Sequence, residues 1–334
     1  PAEHLETALF VESERMRNAA FDPKEFASER TVVISEREGA ENQPEFLVEE
    51  EMWGTAFHVH PYHWLPIGYR QDLEAMGRDE VYAYYLRHYA PNNAILTIVG
   101  GVEAGAAMAL VLKHFAHLRP ETVPKPVPLV EPAQHGQRVA EIHRPGGVNY
   151  LAVGWKIPAW SDPDIPKLVI LNAVLGGWRG FSSFASGGWE PRANRLYRGL
   201  VEGKLATAVR CGFEMRRDPS LFRLSATLAP GVDHASLEDK LDAIVARLEE
   251  RPPKATEMER ARELVRAWTR YEADGVEFQG YMLSQLDILD SRDSFPTILA
   301  AVERVTAEDV QDAARRYLRK RTRTIVRYQA EGAS

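Results

Sequence analysis

Along the first twenty residues Leu5, Leu9 and Met16 recur at three- and four-residue spacing, which predicts a helix over 2–20. Asp22-Pro23 then supplies a cap and a first-turn proline for a second helix starting near Lys24. That helix carries Phe26, Val33 and Leu47 among many glutamates, with a candidate break near Gly39. A loop rich in His, Pro and Gly follows over 57–69, then a helix over 79–89. Pro91-Asn92-Asn93 turns the chain into a predicted strand at 94–99, and a helix over 104–117 closes the first block.

The stretch 119–137 contains Pro120, Pro124, Pro126, Pro128 and Pro132, a density that favours a semi-rigid, extended spacer. Beyond it, strands are predicted near 138–143 and 149–157, and a helix over 164–175 stops at Gly176-Gly177. A short helix falls at 194–200. Two strands, 206–215 and 220–229, are joined through Arg216-Arg217-Asp218-Pro219. Helices at 235–250 and 256–273 are followed by more helix to about 303, a last helix over 307–318 and a strand at 322–328. The end of each block echoes the other: Arg78-Asp79-Glu80-Val81 opens one helix-then-strand unit, and Ala307-Glu308-Asp309-Val310 opens the second. Thr306 and Asp309 have the spacing of a capping box. The expected fold is α+β, with two copies of one domain, each an antiparallel sheet with helices on one face, the first copy lacking its beginning. The domains are expected at 1–118 and 138–334, with 119–137 as linker.

A chain of 334 residues is long for one core and agrees with two domains. A net charge of −7 gives no broad attraction to nucleic acid or anionic lipid. No apolar run reaches the roughly 18 residues of a membrane span. Cys211 is the single cysteine, so there is no internal disulfide; a bacterial cytoplasm or periplasm suits the chain better than a disulfide-rich secreted setting, but the compartment is not fixed. Pro1-Ala2-Glu3-His4 lacks the basic-then-apolar pattern of a signal peptide.

Phe21-Asp22-Pro23 followed by Glu29-Arg30-Thr31-Val32-Val33-Ile34-Ser35-Glu36 resembles the helix that follows the metal motif in pitrilysin/insulinase-type (inverzincin) zinc metallopeptidases, including mitochondrial processing peptidase. Further pieces follow in that family's order: His60-Pro61-Tyr62, Ile67-Gly68, Pro91-Asn92-Asn93-Ala94, Leu175-Gly176-Gly177, Arg195-Leu196-Tyr197, Leu200-Val201-Glu202 and Tyr317-Leu318. The resemblance covers nearly the whole chain. It implies zinc held by two histidines of a His-x-x-Glu-His motif and one glutamate from a later helix, with the motif's own glutamate as general base. By resemblance Glu36 is that third ligand, Glu29 is the outer carboxylate that orients the site, and a water takes the fourth position. Seven residues are almost two helical turns, so the two carboxylates lie about 20° apart on one face. Taken alone, so acidic a helix reads as a solvated face; only its place in the pattern singles out Glu36.

The chain departs from that pattern twice. It contains no His-x-x-Glu-His, so the general base lies outside it and the motif is expected before Pro1 or on another subunit. Many relatives also place an arginine and, seven residues later, a tyrosine just after the Leu200 position; here Val201 and Leu205-Ala206-Thr207-Ala208-Val209 stand there, and the pair is absent. Competing constellations are weaker. His58, His60 and His63 suit zinc by type but have no common site spacing. Gly176-Gly177 and Gly187-Gly188 lack a phosphate-loop context, as Ser182 and Ser183 lack a nucleophile elbow. Trp178, Phe181, Phe184 and Trp189 suit either a peptide-gripping surface or packing of their own loop. The resulting expectation is a zinc metalloendopeptidase subunit acting on extended or unfolded peptides, incomplete and inactive alone. It would work with the missing segment or a partner subunit, as in a heterodimer. The alternative is a non-catalytic scaffold subunit of the same fold.

Overall fold

The Asp22 carboxylate accepts hydrogen bonds from the backbone N–H groups of Lys24 (2.8 Å) and Glu25 (3.1 Å), so the predicted cap and first-turn proline start helix α2, Pro23–Glu41. This computed structural model describes residues 2–125, 127–181, 192–289 and 293–332. Helix α1 is Leu5–Arg17, and α3, Pro44–Ala56, follows α2 after a break at Asn42, beyond the Gly39 of the sequence reading. Arg70–Ala75 (α4), Arg78–His88 (α5) and Ala104–Phe115 (α6) complete the first half. The second half runs β1 Arg138–Pro145, β2 Tyr150–Ile157, α7 Ile165–Leu175, β3 Ala206–Gly212 and β4 Ser220–Leu228. It continues with α8 His234–Glu250, α9 Ala255–Glu272, α10 Val276–Ile288, α11 Phe295–Arg304, α12 Ala307–Tyr317 and β5 Arg323–Glu331.

Two units emerge, neither contiguous in sequence. The first holds Pro1–Asn42, Pro66–Pro128 and Val276–Ser284; the second holds Gln43–Leu65, Leu129–Gly275 and Gln285–Ser334. The 43–65 stretch, which the sequence reading places in the first domain, thus lies in the second unit.

The first unit is tied by buried polar side chains. Arg37, 4% exposed, donates to the Gly68 carbonyl at 2.6 Å and to Glu41 at 2.9 Å. The Tyr85 hydroxyl donates to the Arg15 carbonyl and accepts from Ala19 N–H. Three predictions need correction here. The first helix ends at Arg17, with Asn18 as its cap, and not near residue 20. Residues 94–99 form no strand: a ladder needs a neighbouring strand, and none pairs with them among the described residues. The echo between the blocks therefore covers the helices only, where Glu80 accepts from Gly77 N–H and Asp309 from Thr306 N–H. Ile95, Leu96, Met108 and Leu112 stay exposed in this unit.

The second unit is built on a five-stranded sheet of order β1-β5-β2-β4-β3, antiparallel except for the parallel β1–β5 pair. Its central strand reads Tyr-Leu-Ala-Val-Gly-Trp-Lys-Ile and is buried on both sides, as a near-continuous apolar run requires. Helix α3 covers one face. There Met52 sits over Gly154, where a Cβ would lie 2.8 Å from its sulfur, and Trp53 and Phe57 pack with Ala152, Leu221, Val326 and Tyr328. On the opposite face Leu151, Val153, Leu224 and Ile325 are buried, and Cys211 there meets Asn172 of α7 (Sγ to Oδ1, 3.1 Å). Helices thus lie on both faces of this sheet, not one as expected. Strand β3 ends at Gly212, short of the predicted 215.

Candidate functional site

Helix α2 presents both residues singled out by the resemblance. Its buried side is centred on Arg37. At about 100° per residue, Glu29 and Glu36 lie roughly 80–100° to one side of it and Glu38 about 100° to the other. Glu29 and Glu36 are exposed, with no hydrogen bond or ion pair among the described residues. Val32, 55% exposed, lies on the same side of the helix. Glu38 is engaged by Arg70 at 2.6 Å. Among the described residues, no group of three or more His, Cys, Asp or Glu side chains converges on one point. A tetrahedral zinc site needs at least three protein ligands, so the described residues do not by themselves fit the ion.

The histidine loop has a structural role. His60 Nδ1 accepts from Tyr62 N–H at 3.2 Å, and its Nε2 lies 3.6 Å from Asp218. His63 packs against Trp64 with tilted rings, and His58 is exposed. The aromatic pair Trp178 and Phe181 is buried, Trp178 edge-on to Phe181 and Phe181 edge-on to Trp160 and Phe295. Loop packing therefore accounts for these two. Phe184, Trp189, Ser182, Ser183 and Gly187-Gly188 lie outside the described residues. Just after Leu200, where relatives carry the arginine, Val201 is half-buried at the end of a π-helical turn, Tyr197–Val201, and Ala208, seven residues on, is half-buried on β3.

A polar cluster in the second unit had no sequence signal. The Glu131 carboxylate, at the end of the proline-rich stretch, accepts from three consecutive backbone N–H groups: His58 (2.9 and 3.1 Å), Val59 (2.9 Å) and His60 (3.0 Å). Lys156 Nζ lies 3.8 Å away and Arg138 Nη1 3.9 Å away. Burial works to raise the Glu131 pKa, but the three amides and Lys156 outweigh it and hold it at about 2. The Lys156 amine rests 3.1 Å from the Phe57 ring centroid, buried and with no hydrogen-bond acceptor among the described residues. Burial dominates its titration and, with Arg138, lowers it to about 7 against the pull of Glu131. The folded chain therefore binds fewer protons than the unfolded chain between about pH 7 and the ordinary lysine value near 10.5. Stability should rise with pH across that window and be flat in this respect just below it. Lys156→Met should remove the slope, which urea denaturation at pH 7 and 9.5 reads.

The profile of the peptidase M16 inactive domain matches residues 75–265. The chain belongs to the peptidase M16 family. Zinc protease PqqE of Helicobacter pylori is 29% identical over 251 residues, covering 73% of this chain and 53% of that protein. Cytochrome b-c1 complex subunit 1 of Bos taurus is 25% identical over 175 residues, covering 52% of this chain and 36% of its own. The crystal structure of a protease from Helicobacter pylori superposes with a TM-score of 0.90 at 23% identity, covering 98% of this chain and 77% of that one, and so shares the fold. The chain spans about half the length of the first curated relative and about a third of the second.

Proposed function

We propose that this M16 chain is part of a zinc-dependent endopeptidase and contributes Glu36 to a metal site whose histidines and general base come from another segment or subunit. The observation that carries this reading is the face of α2: two exposed carboxylates almost two turns apart, on the same side of the helix as an exposed valine. An exposed valine there suits a surface that another element covers, and the outward apolar side chains of Ile95, Leu96, Met108 and Leu112 suit the same completion. Zinc, when bound, supplies Lewis acidity and an activated water. Glu36 gives it an oxygen, and Glu29, one face-repeat earlier, orients that arrangement from behind. The substrate class is a peptide in extended conformation, added as a strand to a sheet edge. The similarity to a protein named as a zinc protease supports the enzyme reading.

A second reading, a scaffold subunit without chemistry, is favoured by the relative named as a cytochrome b-c1 complex subunit; the missing arginine–tyrosine pair fits either reading. The first test uses the 334-residue chain itself. It should bind zinc weakly and leave an unstructured peptide uncut, because one carboxylate does not make a zinc site. Chelator-sensitive cleavage by this chain alone would overturn the split-site reading and return attention to His58, His60 and His63.

A further inference from the structure

We propose that the backbone of residues 58–60, flanked by Lys156 and Arg138, is a carboxylate-binding site, which Glu131 of the same chain fills. The proposal is independent of the zinc reading. Three successive N–H groups converge on one carboxylate, four contacts of 2.9–3.1 Å in all, and one Glu131 oxygen takes a bond from each of the three residues. Such a nest of amides is a concave anion receptor in its own right. Two basic side chains from the sheet, Lys156 on β2 and Arg138 on β1, lie beside the carboxylate at 3.8 and 3.9 Å. Arg138 is itself fixed by donating to the carbonyls of Thr55 and Ala56, at 2.9 and 2.7 Å, so it is held beside the nest without depending on Glu131. Phe57 covers Lys156, and His60 turns its ring away to Tyr62 and Asp218, which leaves the receptor to main-chain atoms. The Glu131 side chain is 9% exposed in this position.

Its location gives the contact a consequence. The chain enters the second unit at Leu129, two residues before Glu131, and leaves it after Leu65, five residues beyond His60. One carboxylate thus ties the entering segment to the departing one through a ligand–receptor contact. Any carboxylate of suitable size should compete for the nest once Glu131 is gone. An acidic side chain and a peptide's terminal carboxylate present the same chemistry to it.

Acetate rescue tests this in the full chain. Glu131→Gln should raise hydrogen exchange at the amides of residues 58–60 by about 10–100-fold, the loss expected for charge-assisted bonds, with circular dichroism unchanged. Glu131→Gly should lose the same protection, and acetate, but not chloride at equal ionic strength, should restore it saturably and raise Tm by a few degrees. The parent chain should show no such acetate response. Adding N-acetyl-glutamate amide or a short peptide with a free terminus, each beside its fully amidated form, separates the two carboxylate sources. Unchanged exchange in Glu131→Gln overturns the proposal. So does a Glu131→Gly chain that folds but whose protection acetate does not recover.

Discussion

Glu36→Gln, in the complete protein, is expected to lose nearly all bound zinc and peptidase activity, whereas Glu38→Gln two residues on keeps both near normal. The two side chains differ by about 200° around α2. An amide lacks the negative charge that zinc draws from its ligand carboxylate. Glu38 is occupied by Arg70 in an ion pair whose side chains are 46% and 48% exposed, and a pair so exposed contributes only about 0–1 kcal/mol. Glu29→Gln should fall between, with a loss of about 10–100-fold in affinity or activity, as for other carboxylates that act through a ligand. Zinc content and cleavage of an unstructured peptide, measured on all three variants, read the helix register directly. Equal, small effects at 36 and 38 would favour the scaffold reading.

Phe57→Ala should be the most damaging single truncation on the α3 side of the sheet. Phe57 is 1% exposed, stacks on Trp53 with ring centroids 5.6 Å apart, and roofs the Lys156 amine. Deleting a buried phenylalanine ring typically costs about 3–5 kcal/mol, and here it also removes the ring face that attracts the ammonium. Denaturant unfolding should show a midpoint shift of that size. Trp64→Ala, at a side chain 54% exposed in the same loop, should cost well under 1 kcal/mol and serves as the control. A loss below about 1.5 kcal/mol at Phe57 would mean that α3 is not anchored as described.

Local chemistry made much of this architecture legible. Asp22-Pro23 placed the start of α2, Gly176-Gly177 the end of α7, and Thr306 with Asp309 the start of α12, because caps act within one turn of chain. The strand at 94–99 misled for the opposite reason: β propensity describes fitness for a sheet, but a ladder depends on a neighbour that local sequence does not reveal. The same limit hid the division into units, in which 43–65 joins the sheet of the later half. Of the candidate site, the spacing of Glu29 and Glu36 was readable and their shared exposed face agrees with it. The Glu131 nest was not, since its donors are main-chain amides more than seventy residues away and carry no side-chain signature. Lys156 likewise looked like an ordinary polar position in a strand until the ring of Phe57 and the carboxylate of Glu131 were brought to it.

The central claim, that this chain lends one oxygen ligand to a zinc ion bound otherwise by histidines supplied elsewhere, is tested most directly by zinc-edge X-ray absorption. The measurement compares the complete protein with its Glu36→Gln variant. The account predicts a parent spectrum of two imidazole nitrogens with oxygen ligands at about 2.0–2.2 Å, and a variant that has lost an oxygen or the metal itself. A parent and a variant with the same zinc content and the same coordination shell would contradict it.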